Sequence, residues 1–131
     1  MAQQKIVFVC LHGAAKSVIA AELYKRRAAE AGLAVEALAL GLEPDPEVAP
    51  AAARGLLAEG IDVRGLQPRA VTAADLAGAS RVVAFGCDLG TLAPPGLPIE
   101  QWPDVPAVSD GYAIARERIG ARVDRLVGEA R

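Results

Sequence analysis

Short apolar runs alternate along this chain with longer segments of helical composition. Continuous runs of β-branched and other apolar residues are typical of strands that are buried on both faces. The predicted strands cover residues 5–10, 34–40, 81–85 and 99–102. The predicted helices cover residues 17–31, 47–59, 73–77 and 109–129. Because strands and helices alternate, we predict an α/β fold with a parallel sheet, in a single domain that spans residues 1–131.

Glycine, proline and the apolar stripes refine the predicted helices. Gly32 is expected just after the end of the first helix, and the second helix is expected to have Pro46 near its start and Gly60 at its end. In the first helix, the apolar positions expected to face the core are Val18, Ala21, Leu23 and Ala28. In the last helix, they are Ile114, Ile119, Val123 and Leu126.

Composition excludes several classes of protein. Hydrophobic residues make up 53% of the chain and charged residues 23%, which indicates a folded globular protein rather than a disordered one. A net charge of −2 argues against nucleic-acid binding through bulk positive charge. Two cysteines cannot form a disulfide scaffold, and with one histidine they offer no cluster that could hold a metal. The chain shows no signal peptide and no apolar run long enough to span a membrane, so we expect a cytoplasmic protein that makes no membrane contact.

The loop after the first predicted strand combines four features that suit an oxyanion. Cys10 ends the strand, small residues follow, Lys16 supplies a cation, and Ser17 opens a helix whose N-terminus is positively polarised. The residues expected to surround an anion are Leu11, His12, Gly13, Ala14, Ala15 and Lys16. Such surroundings favour a thiolate, which can attack the central atom of a bound tetrahedral anion. An isolated cysteine at a strand end is more often a small buried hydrophobe, but the Cys-x5-cation-Ser pattern favours the nucleophile.

This loop resembles the Cys-x5-Arg-Ser/Thr P-loop of the low-molecular-weight protein tyrosine phosphatases, and in particular that of the related arsenate reductases. Those reductases typically show Cys-Val-His-Asn-Ala-Gly-Arg-Ser followed by a helix that contains Ala-Glu, and His12 and Ala21-Glu22 stand at the matching places. The likeness continues through Gly41-Leu42-Glu43-Pro44, Gly60-Ile61-Asp62, Pro68-Arg69, Val82 to Cys87, and Trp102. The resemblance implies a four-stranded parallel sheet of order 2-1-3-4 with helices on both faces.

The same resemblance implies roles for individual residues. Cys10 is the expected nucleophile, Ser17 the hydrogen-bond partner of its sulfur, and Lys16 the cation that clamps the oxyanion. The general acid is expected in the loop after Trp102, where Asp104 is the first candidate. Asp110 is the second candidate, although a capping role at the last helix explains it equally well.

Three positions depart from the family pattern. Lys16 replaces an arginine, and a lysine lacks the planar fork that binds two oxygens at once. Gly13 replaces an asparagine; the left-handed backbone expected there is one that asparagine tolerates and glycine adopts freely. The loop after Trp102 has no Asp-Pro pair. His12, without a carboxylate apparent in reach, is not predicted to act as a base.

Three functions remain open from the sequence. The first is a phosphatase- or arsenate-reductase-like enzyme that acts on a small oxyanion or a phosphate monoester, which includes phosphotyrosine in a protein. It would need no cofactor apart from an external thiol reductant for arsenate, and the absence of Tyr between Trp102 and Asp110 favours the reductase branch. The second is a catalytically impaired module that binds an oxyanion or a partner. The third is a redox sensor that uses Cys10 and Cys87, since both follow neighbouring strands.

Overall fold

A computed structural model of the protein describes residues 4–130. The strands are β1 (Gln4–Cys10), β2 (Val35–Gly41), β3 (Arg81–Ala84) and β4 (Ile99–Gln101). The α-helices are α1 (Lys16–Glu30), α2 (Pro50–Ala58), α3 (Ala73–Ala77) and α4 (Tyr112–Ala130). Two short 3-10 turns span Gly90–Leu92 and Val108–Asp110. Every predicted strand and helix is present.

The four strands form one parallel sheet in the order β2-β1-β3-β4. β1 lies between β2 and β3 and pairs with β2 along its whole length, from Gln4 opposite Val35 to Cys10 opposite Gly41. The predicted fold class and strand order are confirmed. Because all strands run in one direction, Cys10 emerges at the carboxyl edge of the sheet, the edge where ligands bind in open α/β sheets.

The sheet separates two apolar layers, and alternate residues of β1 enter different layers. Ile6, Phe8 and Cys10 belong to the larger core, which the sheet shares with α1, α2 and α4. Val7 and Val9 belong to the smaller core, which is closed by Leu76 of α3 and by loop residues. Helices therefore cover both faces, and the Cys10 side chain lies on the same side of the sheet as α1.

Two predicted helices begin later than the sequence pattern indicated. α2 starts at Pro50 rather than at residue 47, because the residue before a proline is disfavoured in helical geometry and Ala49 has an extended backbone (φ −58°, ψ 134°). α4 starts at Tyr112 rather than at residue 109, after the 3-10 turn. Asp110 lies inside that turn, so it is not the residue that caps α4.

The buried stripe of α4 was predicted wrongly at one position. Ile114 is 57% exposed, whereas Ala115 is fully buried. The stripe continues through Ile119, Val123 and Leu126, at steps of three or four residues that return to one side of a helix. A step of five residues, from Ile114 to Ile119, does not return to the same side of the helix. The helical period therefore predicts the buried position better than the hydrophobicity of isoleucine does. All four predicted core positions of α1 are buried.

Within residues 4–130, no helix is both long enough and apolar enough to cross a lipid bilayer.

Candidate active site

The loop that joins β1 to α1 is held in a tight curve by glycine. Gly13 has a left-handed backbone (φ +60°), as expected from its place in the loop. A Cβ atom on Gly13 would lie 2.7 Å from the backbone nitrogen of Gly41, so the loop passes directly against the end of β2. Two glycines, one in each segment, permit this approach.

The carbonyl groups of this loop are bonded outward to the segment between β2 and α2. The carbonyl oxygens of residues 10, 11, 12 and 14 accept hydrogen bonds from the backbone N–H groups of residues 42, 43, 45 and 49, at 2.8–3.3 Å. In a trans peptide unit the N–H group points opposite to the carbonyl. The N–H groups of residues 11, 12, 13 and 15 therefore point away from that segment.

These N–H groups have no acceptor within residues 4–130, and the same holds for the N–H of Ala14. Gly13 and Ala14 are buried and Ala15 is half-buried. Buried backbone donors are almost always paired, so unpaired donors at these positions are typical of a site for a ligand. Successive inward N–H groups beside a helix N-terminus form a concavity that binds anions. The loop therefore has the backbone geometry of an oxyanion cradle, built by residues Leu11 to Lys16.

Cys10 lies at the base of this cradle and is hydrogen-bonded to the first turn of α1. Its Sγ atom lies 3.0 Å from Oγ of Ser17, and Ser17 is fully buried. The N-terminus of α1 has no side-chain cap, so Ser17 is used for the sulfur rather than for the helix. A hydroxyl that donates to sulfur stabilises the negative charge of a thiolate.

A cleft of about 570 Å³ opens above Cys10 and carries two cations. Lys16 and Arg54 both line it, and neither forms an ion pair with a carboxylate of residues 4–130. Arg54 was missed in the sequence, although it lies one helical turn after Pro50 at the start of α2 and so on the same side of that helix. The lining of the cleft therefore includes two cations and one carboxylate, that of Asp45.

His12 has the carboxylate partner that the sequence did not reveal. Its Nδ1 atom lies 3.2 Å from the carbonyl oxygen of Glu43 and 3.5 Å from Oδ1 of Asp45. Both His12 and Asp45 line the cleft. The two residues are 33 positions apart, and only the backbone pairing of their segments brings them together.

Asp104, the first candidate for the general acid, is engaged elsewhere. Its carboxylate accepts a hydrogen bond from Arg122 of α4 at 2.6 Å, and its carbonyl accepts one from Arg118. The Arg122 hydrogen bond lowers the pKa of Asp104 to about 2, and the residue does not line the cleft. Paired with Arg122 and outside the cleft, this carboxyl group is poorly placed to protonate a leaving group bound there.

Asp110, the second candidate, does not line the cleft either. The segment after β4 contributes Ala107, Val108 and Ser109, none of which titrates near neutral pH. Of the described residues that line the cleft, only Cys10, His12, Lys16, Asp45 and Arg54 are ionisable.

Cys87 lies at the same edge of the sheet as Cys10 but in a different layer. It packs against the smaller core, whereas Cys10 belongs to the larger one. Its thiol donates to the carbonyl of Val9, and burial raises its pKa. Both cysteines are free, and Cys87 does not line the cleft. Across residues 4–130, no group of three or more His, Cys, Asp or Glu side chains is arranged to hold a metal.

Comparison with known proteins identifies the fold. The chain aligns with a crystal structure of YfkJ from Bacillus subtilis (TM-score 0.83, 19% identity, 98% of this chain and 95% of that chain covered). It aligns similarly with a low-molecular-weight protein tyrosine phosphatase from T. tengcongensis (TM-score 0.81, 20% identity, 97% and 99% covered). An arsenate reductase from Archaeoglobus fulgidus is 25% identical (TM-score 0.73, 94% and 98% covered). No curated protein sequence matches the chain significantly.

The sequence profile of one family also matches residues 5–89, which include the cradle, β1 to β3 and Cys87. The matched segment covers well over half of the chain and carries the Cys-x5-cation-Ser loop. The profile and the shared fold agree, and the chain belongs to the low molecular weight phosphotyrosine protein phosphatase family, whose members include phosphatases and, on the same fold, arsenate reductases.

Proposed function

We propose that the protein is a phosphatase that hydrolyses phosphate monoesters through a covalent intermediate on Cys10. The observation that carries this proposal is the row of unpaired N–H groups in residues 11–15, which follows Cys10, whose Sγ atom is hydrogen-bonded to Ser17 Oγ. These donors match the three equatorial oxygens of a phosphoryl group, and Lys16 and Arg54 add positive charge.

The reaction has two steps. The Cys10 thiolate attacks phosphorus, so that an S–P bond forms as the P–O bond to the alcohol or phenol breaks. Water then attacks phosphorus, the S–P bond breaks, and inorganic phosphate leaves while the thiolate is regenerated. The proposal requires no resident cofactor, because water is the final acceptor.

The size of the cleft favours an ester over a free oxyanion. A single tetrahedral anion occupies only a small part of about 570 Å³, and most of the remaining lining is apolar. Ala14, Ala49, Phe85 and Val108 are among these apolar residues and suit an uncharged group attached to the phosphate. We therefore propose a phosphate monoester with an apolar or aromatic substituent, which includes a phosphotyrosine side chain.

The test compares variants of the purified protein with p-nitrophenyl phosphate as substrate. Native protein is expected to turn over, Cys10→Ser to be inactive, and the matched control Cys87→Ser to retain activity because Cys87 lies outside the cleft. Mass spectrometry after rapid acid quench should find phosphate on Cys10. Activity retained in Cys10→Ser would refute the proposal.

Lys16→Arg separates a working enzyme from an impaired binding module. Arginine restores the planar fork that binds two oxygens, so the variant is expected to be about tenfold more active, which corresponds to about 1.4 kcal/mol. Inactive native protein that binds phosphate, together with a clearly active Lys16→Arg variant, would instead support an oxyanion-binding module.

Arsenate reduction is the second candidate, and the 25% identity to an arsenate reductase favours it. The Cys10 thiolate would attack arsenic and displace hydroxide. An external thiol would then attack Cys10 Sγ, arsenite would leave with the electron pair of the S–As bond, and a second thiol would reduce the mixed disulfide. We propose an external thiol because Cys87, the one other cysteine, is half-buried against the other layer and does not line the cleft. Arsenite production that depends on added small thiol tests this candidate.

A further inference from the structure

We infer that His12, held by Asp45, is the general acid that protonates the leaving group in place of a carboxyl group from the loop after β4. This inference rests on the proposed phosphatase function and adds to it the residue that handles the proton. The observations that carry it are the contact of His12 with Asp45 in the cleft and the engagement of Asp104 with Arg122 outside it.

The hydrogen bonds of His12 determine which ring nitrogen is available. Nδ1 lies within hydrogen-bonding distance of the Glu43 carbonyl, which can only accept, so Nδ1 carries a proton. Nε2 is the other nitrogen, and it has no hydrogen-bond partner within residues 4–130. A histidine whose Nδ1–H is fixed by an oxygen acceptor presents Nε2 for proton transfer.

Asp45 supplies the charge that a proton donor of this kind needs. Its carboxylate lies 3.5 Å from Nδ1, so it faces the positive charge of a ring that carries a proton on Nε2 as well. As the S–P bond forms and the P–O bond breaks, Nε2–H gives its proton to the leaving oxygen, and the imidazole becomes neutral. In the second step the neutral Nε2 takes a proton from the attacking water, which returns His12 to its starting state. His12 is thus a catalytic residue and Asp45 a positioning residue.

The other ionisable side chains in the cleft are poor candidates for this role. Lys16 and Arg54 are cations suited to hold the anion, and Cys10 is the nucleophile. Asp45 contacts His12 at Nδ1 and is assigned the positioning role. Exposure is compatible with the role, since the His12 side chain lines the cleft and is 54% exposed.

The test uses two esters that differ in their need for an acid. p-Nitrophenolate is a stable leaving group, whereas phenolate is basic and leaves slowly unless it is protonated. In His12→Gln, kcat/KM for phenyl phosphate is expected to fall by about 100-fold, and the loss for p-nitrophenyl phosphate is expected to be about tenfold smaller. Asp45→Asn is also expected to lose more kcat/KM on phenyl phosphate than on p-nitrophenyl phosphate, but by smaller factors. The control variant Glu47→Gln, in the same segment, is expected to lose activity on neither ester.

The outcomes separate this inference from the proposed function. Equal losses on both esters in His12→Gln would mean a structural role and would overturn the inference while the phosphatase stands. A selective loss on phenyl phosphate in Asp104→Asn, with none in His12→Gln, would also overturn it and would make Asp104 the acid. Native protein that is inactive on both esters would overturn the function and the inference together. Circular dichroism of each variant checks that it remains folded.

Discussion

Replacing Gly13 by alanine tests whether the close approach of the cradle to β2 stabilises the fold. The added Cβ atom would lie 2.7 Å from the Gly41 nitrogen and 3.0 Å from its Cα atom. These are backbone atoms of a strand, and Gly41 is itself held by two hydrogen bonds, from its N–H to the Arg69 carbonyl and from the Val71 N–H to its own carbonyl. The strand therefore has little freedom to move away.

The expected magnitude has two parts. A left-handed backbone costs an alanine about 1–2 kcal/mol relative to glycine. The steric overlap with β2 adds about 1–3 kcal/mol, as in other overpacked sites. We therefore expect Gly13→Ala to lower the free energy of unfolding by about 2–5 kcal/mol and to distort the cradle enough to reduce phosphate binding.

Gly32→Ala is the matched control, because Gly32 is also left-handed (φ +72°) but a Cβ there would meet nothing within 4 Å. Gly32→Ala should lower the free energy of unfolding only by the cost of the left-handed backbone, about 1–2 kcal/mol. Urea unfolding of the two variants and the native protein measures the difference, and phosphate titration reports on the cradle. If the two variants lose the same stability, the close approach does not have the importance assigned to it here.

Three further predictions concern single side chains. Ser17→Ala should leave the fold intact but reduce kcat/KM by about tenfold or more, because a hydrogen bond to a charged group contributes about 1.5–3 kcal/mol. Iodoacetamide should also alkylate Cys10 more slowly in this variant at neutral pH, and an unchanged alkylation rate would contradict the role of Ser17. Arg54→Gln should raise KM several-fold at low salt, with an effect that shrinks at high salt because Arg54 is exposed; an effect that does not depend on salt would exclude this electrostatic role. Burial opposes ionisation of Asp75, but the hydrogen bonds from Arg69 and from the N-cap threonine of α3 outweigh it and lower its pKa. Its contribution to stability is then present above the unfolded pKa of about 3.9 and lost as the pH falls through the folded pKa, so the urea midpoints of native protein and Asp75→Asn should converge below about pH 4.

Most of the fold could be predicted from the sequence because local pattern determines it. Buried parallel strands are continuous apolar runs, and alternation with helices restricts the topology. The errors fell where a local rule competes with another. Ala49 is not helical because a proline follows it, and Ile114 is exposed because the helical period places Ala115 toward the core.

The candidate site was only partly predictable. The position of Cys10, the small residues after it and Ser17 are adjacent in sequence, and their chemistry can be read from their spacing. The family pattern directs the expected general acid to the loop after Trp102, whereas the contact of His12 with Asp45 arises only from the pairing of distant segments. Asp104 lies in that loop, but Arg122 of α4 holds it outside the cleft, and no local pattern records that ion pair.

The sequence by itself determined the strand–helix order, the anion-binding character of residues 10–17 and the family to which they are similar. Only the tertiary structure decided what surrounds that loop. Asp45 and Arg54 reach the cleft because the N–H groups of the segment after β2 bond to the carbonyls of the cradle. The two cysteines, which end neighbouring strands, pack against different apolar layers. The residues of the proposed nucleophile and anion site are local in the chain, whereas the contact of His12 with Asp45 depends on residues that meet only when the sheet has formed.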